Sequence, residues 1–281
     1  MELALEQVAC GYGKKTVLED FSARVSSGEI FCLLGPNGIG KTTLYKTILG
    51  FLPSRKGVIS IDGRNVPDLS ARELARYIGY VPQNQSAAFA FSVPDVILMG
   101  RSSRLGAFDQ PGRGDYEMVE TLMADLGISH LRERLYTELS GGERQMALIA
   151  RALAQEPAFL MMDEPTGNLD FGNQALVLRQ IFGLAKQGLG IIMTTHYPEQ
   201  VLMLNTTAAL IKRDRNAVIG PAREVLTEAV LRETYGIPVA VAEVPYGDNF
   251  TCPSGIRRGK PGDPVRRRRK RLPDRPGLGR Q

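Results

Sequence analysis

The first thirty residues carry short apolar runs in near alternation. Leu3, Leu5 and Val8 alternate in this way, Gly11 and Gly13 mark a turn, and Val17 to Val25 follows as a second strand candidate. Glu29 to Leu34 (EIFCLL) is a short apolar run and reads as a strand. The glycine-rich stretch after it leads into LYKTILGFL, where Leu44, Ile48 and Leu49 share a helical face. Between about Gln83 and Pro157 the period changes to 3.6, with amphipathic stretches at Tyr116 to Leu126 and Gly141 to Leu153. This predicts an inserted helical region. Two more buried strands, Ala158 to Met162 and Gly190 to Thr194, flank a helical stretch around Gln174 to Lys186. Beyond Thr251, Pro, Gly and Arg occur without periodicity, so a disordered tail is expected there, and no internal repeat is visible.

Composition changes this picture little. With 281 residues, 43% hydrophobic and 23% charged, the chain has the usage of an ordinary globular protein. Collagen-like, coiled-coil and wholly disordered classes are excluded. No apolar run spans a bilayer, and Met1 to Cys10 lacks the basic start and apolar middle of a signal peptide, so a cytosolic chain is expected. Charge matters more for where it sits. Residues 251–281 hold eleven Lys and Arg against two Asp, a net +9, leaving 24 basic against 28 acidic residues, a net −4, in residues 1–250. The body is mildly acidic. The RRRRKR run at Arg266 to Arg271 could neutralise nucleic-acid phosphates, but no aromatic interleaves it, which favours a solvated extension. Cys10, Cys32 and Cys252 form no disulfide or zinc pattern and read as reduced thiols.

Three strings carry chemistry. Gly35 to Thr42 (GPNGIGKT) fits GxxxxGK[ST], a P-loop or Walker A pattern. Backbone amides and the following helix start would cradle phosphates, Lys41 would reach the β- and γ-phosphates, and Thr42 would ligate Mg²⁺; a bland glycine turn is the competing reading. Phe159 to Glu164 (FLMMDE) is an apolar strand ending in two carboxylates, the Walker B pattern. Asp163 would hold the metal and Glu164 would polarise the attacking water, although an acidic pair before Pro165 is by itself often only solvated. Leu139 to Gln145 (LSGGERQ) is a capping box, with Ser140 as N-cap and Glu143 three residues on. Capping leaves Gly141 and Gly142 unexplained, and their cost inside a helix points to close backbone approach to an anion.

In this order the three motifs make residues 3–240 resemble the nucleotide-binding subunit of an ATP-binding cassette (ABC) transporter. The resemblance implies an α/β fold: a P-loop NTPase core, RecA-like with a mainly parallel sheet, an N-terminal antiparallel β subdomain and an inserted α-helical subdomain. It implies one ATPase domain over 1–240 with its insert at about 84–156, a linker at 241–250 and the basic tail at 251–281. It further implies that Gly35, Pro36, Asn37, Gly38, Ile39, Gly40, Lys41, Thr42 and Thr43 bind ATP, that Tyr12 stacks on adenine, and that Gln83 senses Mg²⁺. Asp170 matches the D-loop and His196 the switch histidine contacting the γ-phosphate; a packed tyrosine, a surface glutamine and a structural histidine are the bland readings, and His130 gets the last of these. Ser140, Gly141, Gly142 and Glu143 would complete the site of a second subunit, giving a head-to-tail homodimer or paired ATPase.

The same resemblance implies separate integral membrane permease subunits, an indirect link to a substrate-binding protein, and a peripheral place on the cytoplasmic face of the inner membrane. Lys41 and Ser140 are only 99 positions apart, which leaves no room for the long coiled coil of chromosome-maintenance relatives. Phe89 to Phe108, Thr194 to Val201 and Glu233 to Val239 are similar to importers of iron chelates, haem, cobalamin and molybdate, so an iron(III) complex is the expected cargo, with molybdate or cobalamin behind it. A soluble ABC ATPase of a non-transport assembly, such as iron–sulfur cluster biogenesis, is the alternative of another class.

Overall fold

A computed structural model describes residues 1–83, 90–106 and 109–241. The basic tail, Cys252, the linker beyond residue 241 and parts of the 89–108 stretch lie outside the described residues.

Among the described residues ten strands form two sheets: β1 (Glu2–Tyr12), β2 (Lys15–Ser26), β3 (Ile30–Leu34), β4 (Lys56–Ile61), β5 (Arg64–Asn65), β6 (Ile78–Val81), β7 (Phe159–Met162), β8 (Gly190–Thr195), β9 (Thr207–Ile211) and β10 (Ala217–Pro221). The helices are α1 (Lys41–Ile48), α2 (Ala71–Tyr77), α3 (Val93–Leu98), α4 (Arg113–Asp125), α5 (Gly141–Leu153), α6 (Phe171–Lys186), α7 (Pro198–Leu204), α8 (Ala222–Val225) and α9 (Glu228–Tyr235).

The smaller sheet is antiparallel, in the order β2-β1-β4-β5. The larger runs β10-β9-β3-β8-β7-β6 and is parallel except for the β9–β10 edge pair. All residues of β3, β7 and β8 are buried, because helices cover one face of this sheet while α1 and the antiparallel sheet cover the other. Side chains therefore alternate between two cores. Cys32, Leu34, Leu160 and Met162 join the core under α5 and α6, whereas Phe31, Leu33, Phe159 and Met161 join the one containing Leu3, Leu5, Leu44 and Tyr45.

Between β6 and β7 the described residues form α3, α4, α5 and short 3₁₀ turns, with no named strand. Arg101 staples this part together. It donates to Asp115 at 2.7 Å, to Glu156 at 2.8 Å and to the Ala154 carbonyl at 2.8 Å, with only 13% of its side chain exposed. A guanidinium so enclosed is tolerable only with its donors matched. No helix among the described residues is long and apolar enough to cross a membrane.

Candidate functional site

The strand β3 ends at Leu34, and the chain turns through Gly35–Gly40 into α1. Gly40 has φ 120°, and a Cβ there would lie 2.7 Å from Val17 Cγ1, so only glycine fits between the loop and the hairpin that carries Tyr12. Asn37, Gly38 and Thr42 are exposed, while Thr43 is buried. The start of α1 has no side-chain cap and no acidic residue in its first turn. Its leading amides and positive end are thus left for another acceptor. Lys41 is buried, and its Nζ donates to the carbonyls of Gly35 at 2.6 Å and Pro36 at 3.2 Å. Burial lowers this amine's pKa, and the charges of Glu164 and Asp163 oppose that shift. A free backbone loop, an uncapped helix start and a buried ammonium fit a polyphosphate.

Opposite the loop, β6, β7 and β8 pair in parallel, with Val81 beside Met162 and Met162 beside Met193. Their C-terminal ends deliver Gln83, the pair Asp163 and Glu164, and Thr194 to His196 to one edge of the sheet. Glu164 has the left-handed φ of 48°, and its N–H donates to Thr194 Oγ1 at 2.8 Å. The same hydroxyl donates to Asp163 Oδ1 at 2.6 Å, so one threonine holds both acids. Gln83 Nε2 donates to Glu164 Oε2 at 2.7 Å, and His196 Nδ1 lies 3.3 Å from that oxygen. Burial raises the Asp163 carboxyl, while the Thr194 hydroxyl and Lys41 pull it back. The buried Asp163 carboxylate and the exposed Thr42 hydroxyl are both hard oxygen donors, of the kind that suits Mg²⁺.

The signature residues stand apart. Ser140 caps α5: its N–H donates to Glu143 Oε2 at 2.8 Å, and Glu143 N–H donates back to Ser140 Oγ at 3.3 Å. Ser140 and Gly141 are exposed, but Gly142 is buried. A Cβ on Gly142 would lie 2.4 Å from Asn173 Oδ1, and one on Gly141 would lie 3.1 Å from Leu169 Cδ2. The structure adds a second reason for the glycines: α6 of the same chain approaches closely at Gly142. Asp170 caps α6, accepting from Asn173 N at 2.9 Å and Nδ2 at 2.6 Å. Tyr12, 47% exposed, closes the β1–β2 hairpin opposite Lys15. The structure therefore gathers Lys41, Gln83, Asp163, Glu164 and His196. Among the described residues no hydrogen bond joins that set to Ser140–Glu143.

Residues 18–167 match the family model described as ABC transporter. The chain is 41% identical, over 84% of its length and 89% of the relative's, to an uncharacterized ABC transporter ATP-binding protein of Haemophilus influenzae. The chain belongs to the ABC transporter family. This ABC ATPase is also 34% identical to the molybdate import ATP-binding protein MolC of Haemophilus influenzae, covering 88% of this chain and 93% of MolC. Among solved structures it matches a subunit of a transporter assigned to the metal-chelate type, captured inward-facing, with TM-score 0.79, 34% identity, and coverage of 88% of this chain and 94% of that one. Its fold is that of the ABC cassettes, and it is a transport-coupled ATPase that binds ATP.

Two residues of this ABC ATPase escape the motifs. Thr194 is fully buried and reads as one more β-branched residue of a strand, and Gln200 lies unmarked in a helix, 2% exposed. A polar residue at the C-terminal end of an otherwise apolar parallel strand was the available signal for Thr194. For Gln200 the sequence offered only its place in the Thr194 to Val201 stretch, whose resemblance bears on the kind of importer and not on the nucleotide site.

Proposed function

We propose that this ABC ATPase is the motor subunit of a membrane importer and works as a head-to-tail pair, with each ATP held between the P-loop of one copy and Ser140–Glu143 of the other. The observation that carries the reading is the grip on Glu164 Oε2, shared by Gln83 at 2.7 Å and His196 at 3.3 Å. A carboxylate so oriented accepts the proton of an attacking water and fixes its line of approach. Lys41 exchanges its loop carbonyls for phosphate oxygens, the Gly35–Thr43 amides bind the rest of the polyphosphate, and Tyr12 stacks on the base. Thr42, Asp163 and Gln83 would hold Mg²⁺, which supplies neutralisation of the β- and γ-phosphate charge. His196 and Gln83 report the γ-phosphate, and Asp170 orders the segment facing the second copy.

The catalytic unit in this reading is residues 1–240 with the insert at 84–156. It sits peripherally at the cytoplasmic face of the inner membrane, bound to permease subunits and through them to a substrate-binding protein. Glu164→Gln is expected to lower ATP hydrolysis at least about 100-fold while stabilising an ATP-bound dimer, read by phosphate release and size-exclusion chromatography. Hydrolysis at wild-type rate in the variant overturns the assignment.

The cargo in this reading contains a metal. An iron(III) complex is supported by the resemblance of the Phe89 to Phe108 sequence and by the likeness to a metal-chelate type transporter; molybdate is the second reading, favoured by MolC. Uptake by the assembled complex tests both, and transport confined to amino acids or sugars overturns both.

A further inference from the structure

Behind the switch strand lies a buried polar chain that no motif accounts for. Gln200, on α7, is 2% exposed. Its Oε1 accepts from Thr166 Oγ1 at 2.8 Å and from Thr195 Oγ1 at 3.2 Å, and its Nε2 donates to Gln174 Oε1 at 3.4 Å. Gln174 in turn donates from Nε2 to the carbonyls of Thr166 at 3.4 Å and Leu169 at 3.1 Å. Both threonines are 1% exposed. Thr195 also accepts the Tyr197 N–H at 3.1 Å, so the two residues flanking His196 are tied to each other and, through the threonine hydroxyl, to Gln200. At the far end, Leu169 packs against Gly141, and Asn173, which clamps Asp170, packs against Gly142.

A hydrogen-bonded path thus runs from the shoulders of His196, through one amide side chain, to the 166–170 segment, and side-chain packing carries it on to the start of α5. The links from Tyr197 through Thr195, Gln200 and Gln174 to Thr166 and Leu169 are buried or half-buried, and an unmatched amide or hydroxyl there would cost about 1–3 kcal/mol. Such a chain moves between complete arrangements rather than loosening one bond at a time, which is the property a coupling element needs.

We infer that Gln200 is a positioning residue that couples the His196 end of the nucleotide site to the 166–170 segment and, through it, to the Ser140–Glu143 face offered to the second subunit. The inference rests on the proposed roles of His196 and of that face. It makes the two nucleotide sites of a pair interdependent through each chain's own interior, because one end of the path touches the chain's own nucleotide and the other its partner's.

Hydrogen exchange on the full chain, with and without a non-hydrolysable ATP analogue and Mg²⁺, tests this. In the wild type the analogue slows exchange at the amides of residues 38–43 and also at 167–170. In Gln200→Leu the protection at 38–43 persists, whereas that at 167–170 falls about fivefold to tenfold. Steady-state hydrolysis by the same variant loses kcat by a similar factor with KM for ATP nearly unchanged. Equal protection of 167–170 in both proteins overturns the inference, because a merely structural glutamine would lower the unfolding midpoint and leave that response intact. Should Gln200→Leu not fold, Gln174→Leu cuts the same path at a half-buried position and must show the same split. If the analogue protects residues 38–43 in neither protein, the nucleotide reading itself fails, a result distinct from protection at 38–43 with no dependence on Gln200.

Discussion

Two helices of this ABC ATPase begin after glycine-rich or serine–glycine sequences, and their first turns are built in opposite ways. The start of α1 has Gly40 as N-cap, no side-chain acceptor and no acid, with the Lys41 ammonium buried beside it. The start of α5 has a complete capping box and carries the Glu143 carboxylate in its first turn. The contrast is one of occupied and unoccupied donors. An uncapped start keeps its amides and dipole for a multiply charged ligand. A capped start has already satisfied the Ser140 and Glu143 amides, leaving those of Gly141 and Gly142. In the function proposed above, the uncapped start serves as the phosphate cradle of its own chain, and the partly satisfied α5 start is suited to completing a site formed elsewhere.

The largest expected effect separates the two starts directly. Lys41→Met should weaken ATP binding by the isolated chain about 100-fold, the loss of charge-assisted hydrogen bonds to phosphate. Ser140→Ala should leave that binding within about twofold while lowering hydrolysis by the pair. Titration with a fluorescent ATP at protein concentrations too low for pairing compares them, and equal losses would mean that both helix starts serve one nucleotide in one chain.

A smaller effect concerns why α5 begins with glycines. Gly142→Ala should destabilise the fold by about 1–3 kcal/mol, because the added methyl meets the Asn173 side chain. Adding Asn173→Ala should recover most of that loss in denaturant unfolding. If it recovers nothing, packing against α6 is not the reason for the glycine.

The smallest concerns the cap itself. Hydrogen bonds from Ser140, side chain first and then backbone, hold the Glu143 carboxyl below its ordinary value of 4.5. A lowered carboxylate stabilises the folded state fully above that ordinary value and loses the contribution as pH falls through the lower folded one. The unfolding midpoints of wild type and Glu143→Ala should differ at pH 7 by the equivalent of about 1 kcal/mol, and the gap should narrow toward about pH 3. A gap that does not change with pH would assign the stabilisation to packing rather than to the ionised cap.

The sequence made the P-loop, the Walker B strand and the signature legible because each is a local object. Strand, glycine turn and helix follow one another along Ile30–Ile48, and the capping box closes within four residues. Five short strands, β4, β5, β6, β9 and β10, left no clear pattern; four of them have only two to five residues, and what makes them strands is pairing with distant neighbours. Gly142 was legible as an anomaly, but its packing against Asn173 was not, since Asn173 lies 31 positions away in the chain. Thr194 left only the faint signal of a polar residue at a strand's end and Gln200 was not legible as a site residue, because a buried hydroxyl or amide gains meaning only from what it bonds.

By itself, then, the sequence determined which groups are available: an uncapped helix start with a lysine, a carboxylate pair at a strand end, and a capped serine–glycine edge. Only the tertiary structure decided which of them meet. Gln83 and Glu164 are 81 positions apart and bond because β6 lies beside β7, and His196 reaches the same oxygen because β8 lies on β7's other side. Parallel strands joined by helical crossovers bring their C-terminal ends to one edge of a sheet, and that edge assembles chemistry from residues that no local pattern connects.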